Sequence, residues 1–177
     1  MSLIDETYFA YEPCFLGNFE SSNGYGEVIQ PKLVGIKRSI NRFEPEYLKL
    51  LMGEELYAEY VSTISDAKWL PLIAKLKDTS TKISPIANFV YFYHRNENSI
   101  VSGDNGDYVP KMDNMQSVGV GVKMVIAWND MVRLNATLMR WIYDYIITAE
   151  TPAIETTATW DISKWDCVLL EYKNRWI

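Results

Sequence analysis

The stretch IANFVYFYHRNEN, from Ile86 to Asn98, holds the only histidine of the chain, His94, at the end of a dense aromatic run. An imidazole titrates near neutrality and serves as general acid or base, but only with a second group to orient the ring or take the proton. With a single histidine that partner has to be a carboxylate or a nucleophile from elsewhere. No Gly-x-Ser-x-Gly elbow occurs, and neither Cys14 nor Cys167 lies in a recognisable nucleophile context. His94 therefore reads as the half-exposed polar end of a packed helix.

Three other groupings invite chemistry and fail on spacing. In SGDNGDYV, the side chains of Asp104, Asn105 and Asp107 suggest calcium. An EF-hand loop needs oxygen ligands at its first, third and fifth positions, and counting from Asp104 puts Gly106 and Tyr108 at the latter two. A turn between strands explains the same residues. VGVGVK carries Gly119 and Gly121, but Met124 follows Lys123 where a phosphate loop requires Ser or Thr. Glu54 and Glu55 are adjacent, so on a helix they point about 100° apart and cannot converge on one atom. The two cysteines lie at opposite ends of the sequence with no Cys-x-x-Cys spacing, which predicts reduced thiols rather than a zinc site. No catalytic residue, cofactor site or metal site is expected.

The elements around these residues are mainly helical. Residues 1–38 contain Pro13, Gly17, Gly24, Gly26 and Pro31, and read as an N-terminal arm of turns or short strands docked through aromatic side chains. The first helix lies within SINRFEPEYLKLLMGEELYAEYVSTI, where Phe43, Tyr47, Leu50, Tyr57 and Val61 recur at helical spacing. Gly53 costs about 1 kcal/mol in a helix interior and marks a helix end or a close approach of another element. A short helix follows at AKWLPLIAKLKD. In SPIANFVYFYHRNEN, Ser84 is placed to cap and Pro85 to occupy the first turn. The helix they start is apolar on most sides, which predicts burial on most sides. Residues 99–119 show no helical period, and SGDNGD between Ile100-Val101 and Tyr108-Val109 predicts a β-hairpin insertion. The longest helix is expected over 120–147, with Met124, Trp128, Met131, Asn135, Leu138, Ile142 and Tyr145 on one stripe. A Thr-rich linker and an aromatic tail make up residues 148–177. The expected fold is mainly α: a small helical bundle of about four helices over 39–147, with a β-hairpin insertion and extended N- and C-terminal arms.

Composition bounds the function. A chain of 177 residues suits one domain, which usually spans about 100–200 residues. With 48% apolar residues and 6 Trp, 12 Tyr and 6 Phe, it has material for a core and for interfaces as well. A formal charge of −6 argues against binding a nucleic-acid backbone. The acidic N-terminus is unlike a signal peptide, and no apolar run approaches the roughly 20 residues that span a bilayer. A soluble protein of a reducing compartment, with no membrane partner, is the expectation.

INRFEPEYLKLLMGEELYAEYV resembles the opening helix of tailed-phage head-to-tail connector proteins, the adaptor or head-completion ring proteins, including those of crAss-like and related phages of gut bacteria. The Leu-Gly-x-x-Leu-Tyr type signature of that family is matched by Met52, Gly53, Leu56 and Tyr57, with Met in place of the usual Leu. The order of elements over roughly residues 36–147 is similar, and SPIANFVYFY is the other distinctive stretch. The resemblance implies a viral structural protein of the virion neck, assembled in the bacterial host cytoplasm as a homo-oligomeric ring, usually a dodecamer. The portal protein would bind one face and the next tail or neck protein the other, with DNA passing through without sequence-specific binding. It implies no catalysis. Subunit or partner contacts are expected at Phe15 and Phe19 in the arm, Tyr91 and Phe92 on the apolar helix, Tyr108 and Val109 in the hairpin, and Trp160, Trp165 and Trp176 in the tail. Two other readings remain open: a non-catalytic monomeric interaction module, and a small-ligand-binding protein or enzyme with an unrecognised site near His94, Tyr91 and Glu97.

Overall fold

The computed structural model describes residues 2–16, 30–98, 101–103, 106–108 and 120–170. Its centre is the helix that the Ser-Pro pair starts. The Ser84 hydroxyl accepts from the amides of Ile86 (3.2 Å) and Ala87 (3.4 Å) and donates to the Leu76 carbonyl. Those bonds satisfy donors that a first helical turn leaves orphaned. Calling the helices α1 (Gln30–Met52), α2 (Glu54–Ser62), α3 (Leu70–Leu76), α4 (Pro85–Asn98), α5 (Val120–Ile142) and α6 (Asp166–Leu169), the chain packs α4 between α1 and α5. Pro85 to Tyr91 are all buried, as apolarity on every side requires.

α1 meets α4 antiparallel. Ile36, Ile40, Phe43, Tyr47 and Leu51, at spacings of three and four, are each at most 3% exposed. Phe43 stacks on Tyr93 at 5.1 Å, and Tyr47 meets the edge of Phe89 at 5.5 Å. On the other side Trp128 of α5 lies 4.7 Å from Phe92 and 6.3 Å from Phe89. These rings form one continuous wall through three helices, which adds directional packing to their area burial. Trp69, at the end of a 3-10 turn (Ala67–Trp69), fills the space beside Tyr60 with no exposed surface.

The β-hairpin insertion is corrected. The fold is helical, and what residues 99–119 contribute among the described residues is a backbone ladder of three residues a side, Val101–Gly103 against Gly106–Tyr108. Three residues a side fall short of the roughly 5–6 residues of a typical strand, and a two-stranded ladder has no third partner to stabilise it. Residues 99–100, 104–105 and 109–119, with Val109 among them, lie outside the described residues.

The ends of the bundle differ from the expectation in their boundaries. α1 begins at Gln30 rather than near residue 39, because Pro31 stands in its first turn, where the missing amide costs nothing. Before it, a 3-10 turn (Glu6–Phe9) buries Tyr8 and Phe9 under α1 and α4. Residues 17–29 are outside the described residues. At the other end, α5 stops at Ile142 and a π turn (Tyr143–Ile147) inserts an extra residue into the helical period. That phase shift buries Ile146 and turns Tyr145 out to 58% exposure, off the stripe that its spacing predicts. The tail then folds back along the body through a 3-10 turn (Ile162–Lys164) and α6.

Candidate functional site

The tail is held chiefly through backbone groups. The Asp161 amide donates to the Met52 carbonyl (3.2 Å) and the Trp165 indole to the Leu51 carbonyl (2.8 Å). From α5, Asn135 donates to the Val168 carbonyl (3.0 Å) and Trp128 to the Leu170 carbonyl (2.8 Å). Asn135 is fully buried and also accepts from the Tyr47 hydroxyl, so one amide joins α1, α5 and the tail. Gly53 is both a helix break and a contact point. Its φ is +86°, and a Cβ there would sit 2.6 Å from that of Asp161.

Ahead of the tail, Glu59 of α2 anchors the linker. Its carboxylate accepts from the Lys68 ammonium (2.8 Å), the Thr157 hydroxyl (2.7 Å), and the Thr157 and Ala158 amides (2.9 and 3.0 Å). The lysine first, and the threonine hydroxyl next, bring its pKa down to about 2.

His94 is half-buried at the α1–α4 contact, and its Nδ1 lies 2.8 Å from the Ser39 hydroxyl. Burial lowers its pKa, Arg95 beside it lowers it further, and Glu97 opposes them. Glu97 itself pairs with Arg42 at 2.5 Å. Glu54 is exposed and pairs with Lys49 (2.9 Å), while Glu55 stands apart from that pair. Cys14 is buried with its thiol donating to Asn88 Oδ1, and burial raises its pKa; Cys167 is exposed. Among the described residues no group of three or more His, Cys, Asp or Glu could hold a metal ion, and no helix is long and apolar enough to cross a membrane.

The residues expected at interfaces fall in different places. Tyr91 has no exposed surface and carries Arg95 over its ring at 5.5 Å. Phe92 is half-buried against Trp128. Phe15 is 39% exposed at the α4 end, where its carbonyl accepts from Arg95. Trp160 and Trp165 are half-buried on the chain's own body. Tyr108 is described only as backbone in the ladder, and Phe19, Val109 and Trp176 lie outside the described residues.

A feature that the sequence reading missed is Glu44. It sits on the apolar stripe of α1 with Ile40, Leu48 and Leu51, and it is 5% exposed. Its carboxylate holds the N-terminal segment, accepting from the Leu3 amide (2.7 Å), the Ser2 hydroxyl (2.6 Å) and the Ile4 amide (3.3 Å). An acid at i+4 from Ile40 and i−4 from Leu48 was the readable signal. Beside it opens a cleft of about 380 Å³ between α1 and α2.

In comparisons with known proteins, the chain matches no family model, no curated protein and no solved structure.

Proposed function

We propose that the chain is a non-catalytic structural subunit that assembles into the ring of a tailed-phage neck, between the portal and the next tail component. The observation that carries this reading is the layout of one end of the bundle. Leu16, Gln30, Asn98 and Val120, which flank residues 17–29 and 99–119, belong to the end where the start of α1, the end of α4 and the start of α5 meet. The same end keeps apolar side chains in solvent, with Phe15 39%, Val122 42% and Ile126 46% exposed. Val122 and Ile126 are four apart on α5, so they share a face. Apolar side chains grouped in this way suit contact with another chain better than an isolated monomer.

The resemblance at Met52, Gly53, Leu56 and Tyr57 supports the reading at the level of fold. Met52 and Leu56 have no exposed surface, and Gly53 supplies the break between α1 and α2. The test is light scattering of the purified chain over a concentration series, alone and with purified portal rings. A discrete cyclic species, alone or seated on the portal, is the expected result. A strict monomer that also fails to sediment with portal rings would overturn the proposal.

A further inference from the structure

The cleft beside Glu44 has apolar walls and a buried charge without a counter-charge among the described residues. Glu44 is a buried carboxylate, and among the described residues no Lys or Arg is paired with it; its three donors are two amides and a hydroxyl. Two of those donors fall on Oε2 and one on Oε1. A carboxylate offers about four lone-pair sites, so Oε1 retains an open one. Neutral donors stabilise a buried carboxylate without cancelling its charge, and a cation is the group that would neutralise it.

Two further groups point the same way. Tyr60, 2% exposed, lines the cleft, and its buried hydroxyl has no hydrogen-bond partner among the described residues. Buried hydroxyls are nearly always paired, so this one lacks a partner that a ligand can supply. Its pKa rises to about 12, chiefly through burial and next through the Glu44 charge, which puts the two groups within electrostatic reach. Pro45, inside α1, has no N–H for the Asn41 carbonyl one turn back, and Asn41 and Pro45 both line the cleft. The walls, Ile40, Leu48, Tyr57, Val61 and Ile64, are apolar or aromatic. At about 380 Å³, the volume falls in the range of roughly 300–1,000 Å³ that small-ligand sites occupy.

We propose that this cleft binds an organic cation: a primary ammonium or guanidinium group on an apolar stem, with its charged end on Glu44 and Tyr60 and its stem along Leu48, Val61 and Ile64. A tyrosine wall suits such a group, since aromatic faces attract cations. The inference stands independently of any ring assembly.

The test is a methyl NMR titration of the full chain with n-butylammonium and n-butylguanidinium, with n-pentanol as the neutral isostere. Saturable shifts at Ile40, Leu48, Val61 and Ile64 are expected with the cations, at least about tenfold tighter than with the alcohol. Glu44→Gln should abolish that preference. Because Glu44 also holds Ser2 and Leu3, Tyr60→Phe serves as the second variant: it leaves the N-terminal clamp intact and should weaken cation binding severalfold. Equal affinity for n-pentanol, the absence of saturable shifts, or unchanged binding in Tyr60→Phe would each overturn the proposal. The source of the cation is read in the same samples. Loss of a high-mass species on adding n-butylammonium identifies a Lys or Arg side chain from a second copy, and an unchanged mass identifies a free amine.

Discussion

Gly53 shows how one residue ties helix geometry to tertiary docking. Its backbone, φ +86° and ψ 164°, lies in a region that is essentially open to glycine alone. A side chain there costs about 1–3 kcal/mol in strain, before counting the clash with Asp161. Gly53→Ala should therefore lower the melting temperature and free the tail, and hydrogen exchange at the Asp161 amide separates that from a general loss of stability. His94 gives a pH-dependent prediction. Burial and Arg95 favour the neutral ring, so its folded pKa is below the ordinary 6.5. A depressed pKa contributes stability that is complete above the unfolded value and is lost as pH falls through the folded one. NMR titration of the ring should give a midpoint below 6.5, and Ser39→Ala, which removes a neighbouring hydroxyl, should shift that midpoint. A midpoint at or above 6.5 would mean that the ring is solvated or held by a carboxylate.

Among the elements, Glu59 decides whether the linker after α5 belongs to the body. Four donors converge on this carboxylate, and hydrogen bonds to charged groups contribute about 1.5–3 kcal/mol each at best. Glu59→Gln should destabilise by about 1–3 kcal/mol and speed exchange of the Thr157 and Ala158 amides, with little change in α4. Because its pKa falls from 4.5 to about 2, the contribution holds above pH 4.5 and is lost as pH drops through about 2. Much at this scale was legible in the sequence. Ser84-Pro85 marks a helix start by capping chemistry alone, and the all-round apolarity of α4 announces its central place. Local signals misled where the deciding fact was tertiary or positional. Pro31 reads as a breaker unless the helix start is already known. The π turn that rotates Tyr145 outward leaves no trace in the hydrophobic period. The SGDNGD turn residues suggested a hairpin, yet turn chemistry says nothing of how far the strands extend. Glu44 went unremarked because an acid on an apolar stripe looks like a helix-surface interruption until its three N-terminal donors come from about 40 positions away in sequence, a long-range closure that periodicity does not encode.

For the whole molecule, the proposed assembly makes the exposed Val122 and Ile126 face of α5 the place to test. Ile126→Glu places a charge on an exposed α5 site, so the protomer should keep its melting temperature within about 0.5 kcal/mol of stability while any assembled species loses mass. A substitution that unfolds the protomer instead would mean that this face is part of the core. The docked tail has a different consequence, which concerns mutational tolerance. Asn135 and Trp128 hold it by the carbonyls of Val168 and Leu170, groups that every residue type carries. Val168 must stay apolar because its side chain is buried, but Cys167 and Leu170 face solvent and are free to change. Adding or removing a single residue between 161 and 168 moves both carbonyls off their donors at once. Outside Trp165, whose indole bonds the Leu51 carbonyl, and the buried Val168, the tail is thus read by its spacing more than by its lettering.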